Sequence, residues 1–351
     1  MKRRNGQHRG ETDTARGRRT RLVEVSILAL PSVHTSALYG AHDILSSAGI
    51  RWDQRDERIR CETRLRVRTV GVTTAAVEGW NGVVVRPSVA IADVATSDIV
   101  YVPALGPPDG DVPTTPPVVR RWLADLYERG AVIATACSGS LVLAEAGLLD
   151  AEPATTHWAY TQQFAQRFPT TRLCPERALV LAGDEQRIVT AGGGSLWQEL
   201  LLYLIARFLG RDAAAQAARL YLLDWGREDQ SPYALFQERR QHADAAIRKA
   251  QRVMLEHAAD ARVLLRARAQ TGLIERTFQR RFRAVTGVSP VRYLQEIRIE
   301  LAKDAITTQP RSLDDIAWDV GYTDPATFRR LFKRIVGISP SEYRRRTAVV
   351  A

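Results

Sequence analysis

The sequence predicts an α/β domain followed by an all-α domain, and three observations support this division. The chain has 351 residues, which is more than one hydrophobic core of ordinary size accommodates. Strand-like apolar runs alternate with helical periodicity through residues 21–210. Residues 247–346 contain only helical patterns and repeat one of them. A basic tail (1–20) and a connector (211–246) complete the predicted organisation.

Positive charge is concentrated at the two ends of the chain. The formal net charge is +11, to which residues 1–20 contribute +5, residues 246–351 contribute +10 and residues 21–245 contribute −4. A basic domain beside a mildly acidic one is typical of a protein in which one domain faces phosphate. An arginine-rich, solvated surface is the alternative interpretation. Low hydrophobicity and high charge predict that residues 1–20 are disordered and add nonspecific attraction to DNA.

The sequence predicts a cytoplasmic protein without a membrane partner. No apolar run approaches the roughly 20 residues that span a bilayer, and residues 1–20 lack the apolar segment of a signal peptide. Cys61, Cys137 and Cys174 are an odd number without the spacing of a disulfide framework. No metal site is expected, because no His, Cys and acidic residues have ligand spacing. The Gly-rich run at 191–195 matches no nucleotide motif, so no cofactor is expected either.

Residues 21–210 alternate between buried strands and helices. This alternation is typical of a parallel sheet with helices on both faces. The predicted strands are 23–30, 99–103, 131–136, 178–182 and 187–190, and the predicted helices are 36–48, 116–129, a helix ending at 146, and 196–209.

A cysteine lies at the sharp turn after the third predicted strand. The turn at 137–139 places the Cys137 thiol at a helix N-terminus, where the helix dipole favours thiolate, as in a nucleophile elbow. His157, followed by Trp158, is a candidate partner base. The alternative interpretation makes Cys137 a small buried residue at a crowded turn and His157 a hydrogen-bonded structural histidine.

Residues 278–293 and 328–343 match at an offset of 50. In each copy two Phe residues four apart share one helix face, a Gly ends the helix, and Ser-Pro begins the next helix. A short helix from Ser312 and a turn at Gly321 precede the second copy. Each copy is therefore predicted to be a helix-turn-helix unit, with the helix from Pro290 to Thr307 joining the two. The matching residues are Phe278, Arg280, Phe282, Gly287, Ser289, Pro290 and Tyr293, and Phe328, Arg330, Phe332, Gly337, Ser339, Pro340 and Tyr343.

On these residues, the segment from about 247 to 346 resembles the AraC/XylS-type DNA-binding domain. In that family the second helix of each unit enters the major groove of double-stranded DNA, and the units lie about one turn apart. The recognition helices here would be 275–284 and 325–335. Ile274 departs from the family, which commonly has a capping residue there.

The position of each side chain on the two recognition helices divides the expected contacts into two groups. Contacts to base edges specify a sequence, whereas contacts to phosphate only position the protein. The expected base contacts are Glu275, Arg276, Gln279 and Arg280 in the first groove and Ala326, Thr327, Arg329 and Arg330 in the second. The expected phosphate contacts are Arg281, Arg283, Lys333, Arg334, Arg344, Arg345 and Arg346.

The turn at 137–139, the run 143–149 and the motif 155–158 resemble the DJ-1/PfpI branch of the class I glutamine amidotransferase-like fold, which is flavodoxin-like. With the C-terminal domain, the chain resembles the GlxA-like regulators of the AraC/XylS family. Active members of the fold have an acidic residue on the first βα turn, where this sequence has Ala37. The resemblance therefore implies a non-enzymatic domain with a vestigial pair, Cys137 and His157. It also implies a ligand pocket formed by Cys137, Ser138, His157 and Trp158.

The resemblance implies a sequence-specific transcriptional regulator that senses a small, nitrogenous metabolite. It further implies a homodimer and, more often than repression, activation through RNA polymerase. Two alternatives stay open. One is a cysteine-dependent hydrolase or amidase that uses Cys137 and His157, with the C-terminal domain as a localising appendage. The other is a nonspecific, chromatin-like DNA-binding protein.

Overall fold

The computed structural model describes residues 21–49, 63–106, 114–226, 229–234, 236, 238–239 and 242–347. The predicted tail, residues 1–20, lies outside these residues, as does Cys61. No helix in the described ranges is both long enough and apolar enough to cross a membrane.

The described residues of the α/β domain form one seven-stranded sheet in the order β10-β11-β7-β6-β1-β2-β5. Every neighbouring pair from β11 to β5 is parallel, and only the edge strand β10 is antiparallel to its neighbour. The predicted parallel sheet is therefore confirmed, with one antiparallel edge. The strands are β1 (Arg21–Leu28), β2 (Thr63–Gly71), β5 (Val89–Ala90), β6 (Ile99–Val102), β7 (Val132–Ala136), β10 (Leu179–Ala182) and β11 (Ile188–Ala191).

Two short two-stranded pairs and two groups of helices accompany this sheet. The helices α1, α5 and α6 pack against one another and α2 packs against α3, and both groups contact strands of the sheet. Residues of β6 and β7 are all buried, as expected for central strands covered on both faces. The short strands are β3 (Val77–Glu78), β4 (Val84–Val85), β8 (Pro153–Ala154) and β9 (Arg172–Leu173); the helices are α1 (Thr35–Ser47), α2 (Pro117–Glu128), α3 (Gly139–Glu145), α4 (Thr161–Arg167), α5 (Leu196–Leu209) and α6 (Arg211–Tyr221).

The helix α6 falls in the segment that the sequence assigned to the connector. Its buried residues Ala213, Ala214 and Ala217 belong to the core of the α/β domain. The α/β core therefore continues beyond residue 210, because the small side chains of α6 let it pack closely on α5.

The all-α domain consists of helices that form two separate hydrophobic cores in the described residues. The long helix α10 contributes Tyr293, Leu294 and Ile297 to the first core and Ile299 and Ile306 to the second. One continuous helix thus joins both units, as predicted. The helices are α7 (Ala245–Glu256), α8 (Val263–Ala269), α9 (Glu275–Thr286), α10 (Pro290–Thr308), α11 (Leu313–Asp319), α12 (Pro325–Val336) and α13 (Pro340–Thr347).

The two units repeat the same aromatic arrangement. The ring centroid of Phe282 lies 5.6 Å from the ring centroid of Phe278 and 5.3 Å from that of Tyr293. In the second unit the rings of Phe332 lie 5.7 Å from Phe328 and 5.6 Å from Tyr343. These are ordinary edge-to-face geometries, in which aromatic pairs add to the stabilisation that burial provides.

Both recognition helices end in the same way. Gly287 and Gly337 follow α9 and α12 in the left-handed conformation, with φ of 78° and 87°. A residue with a Cβ is strained at such a φ. The hydroxyls of Ser289 and Ser339 then accept hydrogen bonds from backbone amides of the following helices. The predicted pair of helix-turn-helix units is confirmed.

Candidate functional site

The helices α9 and α12 expose equivalent faces. In both helices the fully buried residues are spaced four apart and lie on one face. They are Phe278, Phe282 and Thr286 in α9 and Phe328, Phe332 and Val336 in α12. Most charged side chains between these positions are exposed, whereas Val285, Leu331 and Ile335 pack at the edges of the cores. This arrangement leaves a basic face on each helix for contact with a polyanion.

The four residues expected to contact bases from the first unit, Glu275, Arg276, Gln279 and Arg280, are all exposed on α9. The amide of Gln279 donates a 2.6 Å hydrogen bond to Glu275, which also forms an ion pair of 3.2 Å with Arg268. Contact of Gln279 with a base would therefore require exchange of this hydrogen bond. The start of α9 has no side-chain cap, because Ile274 stands at the capping position.

In the second unit, Ala326, Arg329 and Arg330 are exposed on α12, and Thr327 is half-buried. Arg330 donates to the Thr327 hydroxyl at 3.1 Å, and Arg329 forms an ion pair with Asp314 of α11. The carboxylate of Asp324 caps α12 by accepting hydrogen bonds from the amides of Ala326 and Thr327, at 3.0 and 2.9 Å.

The expected phosphate contacts fall into two groups. Arg283, Lys333, Arg334, Arg345 and Arg346 are exposed, and Arg346 donates to Glu342 at 2.6 Å. Arg334 donates to Gln295 at 3.4 Å, and the half-buried Arg344 donates to the carbonyl oxygen of Arg311 at 2.8 Å.

Arg281 lies differently from the other expected phosphate contacts. Its guanidinium binds both carboxylate oxygens of Asp244, the residue that caps α7. At the offset of 50 residues, Arg281 corresponds to Leu331, which packs against the second core. Arg281 thus joins α9 to α7 while its side chain stays partly exposed, and the phosphate contact expected of it would require exchange of this ion pair.

Cys137 directly follows β7 and has a φ of 59°, in the left-handed region that few side chains adopt. Its backbone amide donates to the carbonyl oxygens of Ala191 and Gly192, each at 3.0 Å. Burial raises the pKa of the Cys137 thiol to about 11, and hydrogen bonds from Ser138 lower it less. The thiolate predicted from the helix N-terminus is therefore not favoured, because burial outweighs the nearby amides.

His157 is a neutral hydrogen-bonded side chain. Its Nδ1 accepts a hydrogen bond from the backbone amide of Ala159 at 3.0 Å, so the neutral ring carries its proton on Nε2. Burial lowers the pKa of His157, and the proximity of His34 lowers it further. The ring lies 4.8 Å from that of Trp158.

The ring of His157 lines two neighbouring cavities. The smaller, about 160 Å³, also contains Cys137, His34 and Ala37 in its wall, and none of the described residues that line it is acidic. The larger, about 280 Å³, is lined by Trp158 as well. Ala37 therefore stands in the wall beside Cys137, where the resemblance expects a carboxylate.

Of the four residues expected in the ligand pocket, Ser138 lies apart from both cavity walls. It is fully buried, and its hydroxyl is hydrogen bonded to the backbone of Leu105, donating to the carbonyl oxygen at 2.7 Å and lying 2.9 Å from the amide. The larger cavity instead includes Asp229, Gln230 and Tyr233, from the predicted connector. No local sequence pattern indicates these three residues, because they reach the cavity through tertiary packing. In the described part of the chain, no three His, Cys, Asp or Glu side chains could hold a metal ion.

Comparison with known proteins identifies both domains. Residues 268–346 match a helix-turn-helix domain model, and residues 57–204 match the model of the DJ-1/PfpI family. The HTH-type transcriptional regulator GlxA of Rhizobium meliloti is 30% identical over 230 residues, which are 64% of this chain and 68% of that protein. The HTH-type transcriptional regulator CdhR of Pseudomonas aeruginosa is 27% identical over 251 residues, covering 71% and 72%. An isonitrile hydratase of Pseudomonas putida is 26% identical over 236 residues, covering 64% and 92%.

Proposed function

This chain belongs to the GlxA-like, DNA-binding transcriptional regulators of the AraC/XylS family with an N-terminal DJ-1/PfpI domain, and we propose that this N-terminal domain senses a small molecule without catalysing a reaction. The observation that carries the proposal is the cavity wall beside Cys137, which combines a protonated thiol with neutral imidazole and alanine. Such a wall can bind a ligand but lacks an activated nucleophile.

The similarity to an isonitrile hydratase keeps a cysteine-dependent enzyme as the second candidate. A hydrolase or amidase of this type requires a thiolate and a base that accepts a proton. The pKa of Cys137 is raised to about 11, and Nδ1 of His157 already accepts a hydrogen bond from Ala159. These two features favour binding over catalysis.

The chemistry of the larger cavity favours a ligand that carries a cationic nitrogen. Among the described residues that line it, Asp229 supplies a charged side chain, and Trp158 and Tyr233 supply aromatic faces. An ammonium group gains from a carboxylate and from aromatic faces together. The Nε2–H group of His157 is a hydrogen-bond donor in the same wall. This agrees with the nitrogenous effector that the family resemblance implies.

For DNA recognition we propose that the exposed side chains of α9 and α12 read base edges in two consecutive major grooves. The candidates are Glu275, Arg276, Gln279, Arg280, Ala326, Thr327, Arg329 and Arg330, with phosphate contacts from Arg281, Arg283, Lys333, Arg334, Arg344, Arg345 and Arg346. We also propose that the chain is cytoplasmic, acts as a homodimer and activates transcription by contacting RNA polymerase. A change of effector occupancy would then alter how the DNA-binding domains are placed on a promoter.

The ligand proposal is tested by thermal melting of the full chain with a set of primary amines and quaternary ammonium compounds. A ligand at about 100 times its Kd stabilises the protein by about 2.7 kcal/mol, which gives a measurable rise in Tm. We expect a rise with one class of cation and its loss in Asp229→Asn. A rise only with carboxylates or phosphates would contradict the cationic ligand.

The DNA proposal is tested by selection from random oligonucleotides with the full chain. We expect one enriched sequence that is bound more tightly than random DNA by several kcal/mol. Equal affinity for enriched and random DNA would support the nonspecific, chromatin-like alternative.

A further inference from the structure

We propose that residues 229–239, here called the coupling segment, transmit ligand occupancy of the larger cavity to the helix α10, and that Gln230 is the positioning residue at its cavity end. This inference rests on the proposed sensing function and adds the route by which the sensor domain acts on the DNA-binding domain. The described residues of the segment are 229–234, 236 and 238–239, and they contact the α/β domain at one end and α10 at the other.

Gln230 attaches the segment to the α/β domain. The side chain is only 3% exposed. Its Nε2 donates to the carbonyl oxygens of Thr156 and Pro175, each at 2.8 Å, and its Oε1 accepts from the amide of Gly193 at 2.9 Å. Thr156 and Gly193 are sequence neighbours of His157 and Gly194, which line both cavities. The amide of Gln230 is therefore held by the same loops that form the cavity wall.

The residues beside Gln230 complete that wall. Asp229 and Tyr233 line the larger cavity together with His157 and Trp158. The cavity thus has its full lining only while the segment is docked. A ligand that contacts Asp229 or Tyr233 consequently binds the docked state better than the undocked state, and this difference in affinity is what shifts a population.

The other end of the segment is fixed along one face of α10. The carbonyl oxygen of Ala234 accepts a hydrogen bond from the buried ammonium of Lys303, which also forms an ion pair with Glu300 at 3.0 Å. The same Glu300 carboxylate accepts from the amide of Phe236 at 3.0 Å. Because the Lys303 ammonium is buried, loss of one of these partners would leave its charge poorly compensated, so the contacts hold their partners in one geometry.

Two further contacts extend this attachment towards the N-terminus of α10. Arg239 forms an ion pair with Glu296 at 2.7 Å, and the Tyr293 hydroxyl donates to the carbonyl oxygen of Glu238 at 2.7 Å. Along α10 the four attachment residues are spaced by three, four and three, so they share one helix face. They are Tyr293, Glu296, Glu300 and Lys303.

Because α10 carries side chains of both helix-turn-helix cores, a segment attached along it positions both units. The short helical turn Ser231–Tyr233 also lies against α12, and a Cβ at Gly337 would stand 3.1 Å from the carboxylate of Asp229. Asp229 thus adjoins the end of the second recognition helix as well as the cavity. Docking of the segment therefore fixes the DNA-binding domain relative to the sensor domain.

The test perturbs only the cavity end and observes the α10 end. Gln230→Ala removes the amide. Gly192→Ala acts from the other side, because a Cβ there would lie 2.4 Å from Cδ of Gln230, and the φ of Gly192 lies outside the left-handed region. Gln309→Ala, at an exposed position after α10, is the control. Amide hydrogen exchange at Phe236 is measured in the full chain without DNA or ligand, because its amide reports attachment to Glu300.

We expect exchange at Phe236 to be about tenfold faster in Gln230→Ala and in Gly192→Ala, and unchanged in Gln309→Ala. The double variant should be no faster than Gln230→Ala alone, since both substitutions break the same contact. Unchanged exchange at Phe236, or full additivity in the double variant, would overturn the proposal. If Gln230→Ala lowers the Tm of the α/β domain, its exchange rate at Phe236 is not interpreted, and the result for Gly192→Ala decides between the two outcomes.

This measurement is independent of the proposed function. Failure to find a metabolite or a preferred DNA sequence would remove the sensing role without changing exchange at Phe236. If instead the chain binds a selected operator and responds to a cationic ligand, while exchange at Phe236 is insensitive to both substitutions, only the coupling route is wrong.

Discussion

Arg281 donates three charge-assisted hydrogen bonds to Asp244, from Nε to Oδ2 at 3.0 Å and from Nη2 to Oδ1 at 2.9 Å and to Oδ2 at 2.8 Å. Asp244 at the same time caps α7 by accepting from the amide of Ile247 at 3.1 Å. The pair therefore joins the start of the domain's first helix to the middle of its first recognition helix. A side chain held in this way supports the placement of α9.

Arg281→Ala should lower the free energy of unfolding by about 1 kcal/mol. This is near the upper end for an exposed ion pair, because water reaches the Arg281 guanidinium while the Asp244 carboxylate is mostly buried. Arg283→Ala removes the same charge from an exposed position and is the matched control. Urea denaturation of both variants checks this. We expect Arg283→Ala to leave stability within about 0.5 kcal/mol of the parent while weakening DNA binding. Equal destabilisation by the two variants would contradict the assignment.

The same pair predicts a pH dependence. Burial alone would raise the pKa of Asp244, but hydrogen bonds from Ile247 and Arg281 and the charge of Arg281 outweigh burial and hold the pKa below its usual 3.8. The pair therefore contributes its full stability at neutral pH and loses it as the pH falls below about 4. Stability measured from pH 7 to pH 3 should show the parent and Arg281→Ala converging in acid. A constant difference over this range would exclude an ionic contribution.

Arg280→Ala should weaken operator binding by about 1–3 kcal/mol, with the loss confined to one or two base pairs. Arg330→Ala, at the equivalent place in α12, should do the same at a site about one DNA turn away. Binding of single-base operator variants to each mutant maps the positions. Uniform weakening for all sequences would instead mean that the substituted arginine contacts only phosphate.

Cys137 should react slowly with iodoacetamide at neutral pH. With a pKa of about 11, only about one thiol in ten thousand is ionised at pH 7, and the rate should rise about tenfold per pH unit towards pH 11. The measurement uses a Cys61→Ser, Cys174→Ser background so that only Cys137 is labelled. Fast labelling at pH 7 would indicate an activated nucleophile and favour the enzyme alternative.

Phe282→Ala and Phe332→Ala should each destabilise one helix-turn-helix unit, by about 3–5 kcal/mol. Among the described residues, the two rings lie in separate cores, and α10 is the helix that contributes to both. Their effects on the free energy of unfolding should therefore be nearly additive in the double variant. Amide exchange, read separately for α9 and α12, checks this. A single substitution that accelerates exchange equally in both helices would show one cooperative core.

The repeat and its helices were predictable because their signals are local. Phe278 and Phe282 are four residues apart, and Gly287 follows at the position where the helix ends. The helix, its buried face and its C-terminal cap could therefore be predicted from a stretch of ten residues. The same logic predicted the parallel sheet from alternating apolar runs. The antiparallel edge strand β10 was beyond this reasoning, because strand direction depends on tertiary pairing with β11.

The parts of the site that escaped prediction depend on distant contacts. Arg281 looked like its exposed neighbours because its partner, Asp244, lies 37 residues earlier. The Cys137 thiol was expected to ionise from its place at a helix N-terminus, but the degree of burial, which raises the pKa, is set by the whole fold. Gln230 stands in a segment without periodicity, and only the folded chain shows that its amide is buried in the other domain.

The continuity of α10 from Pro290 to Thr308 has a consequence for the promoters that this protein can occupy. A rod of about 28 Å cannot stretch or twist to suit a different gap between two DNA boxes. One inserted base pair rotates the second box by about 34–36° around the duplex axis, so the second helix would meet the backbone instead of the groove. Genuine target promoters should therefore keep one invariant gap length, whereas the bases within that gap are free to vary.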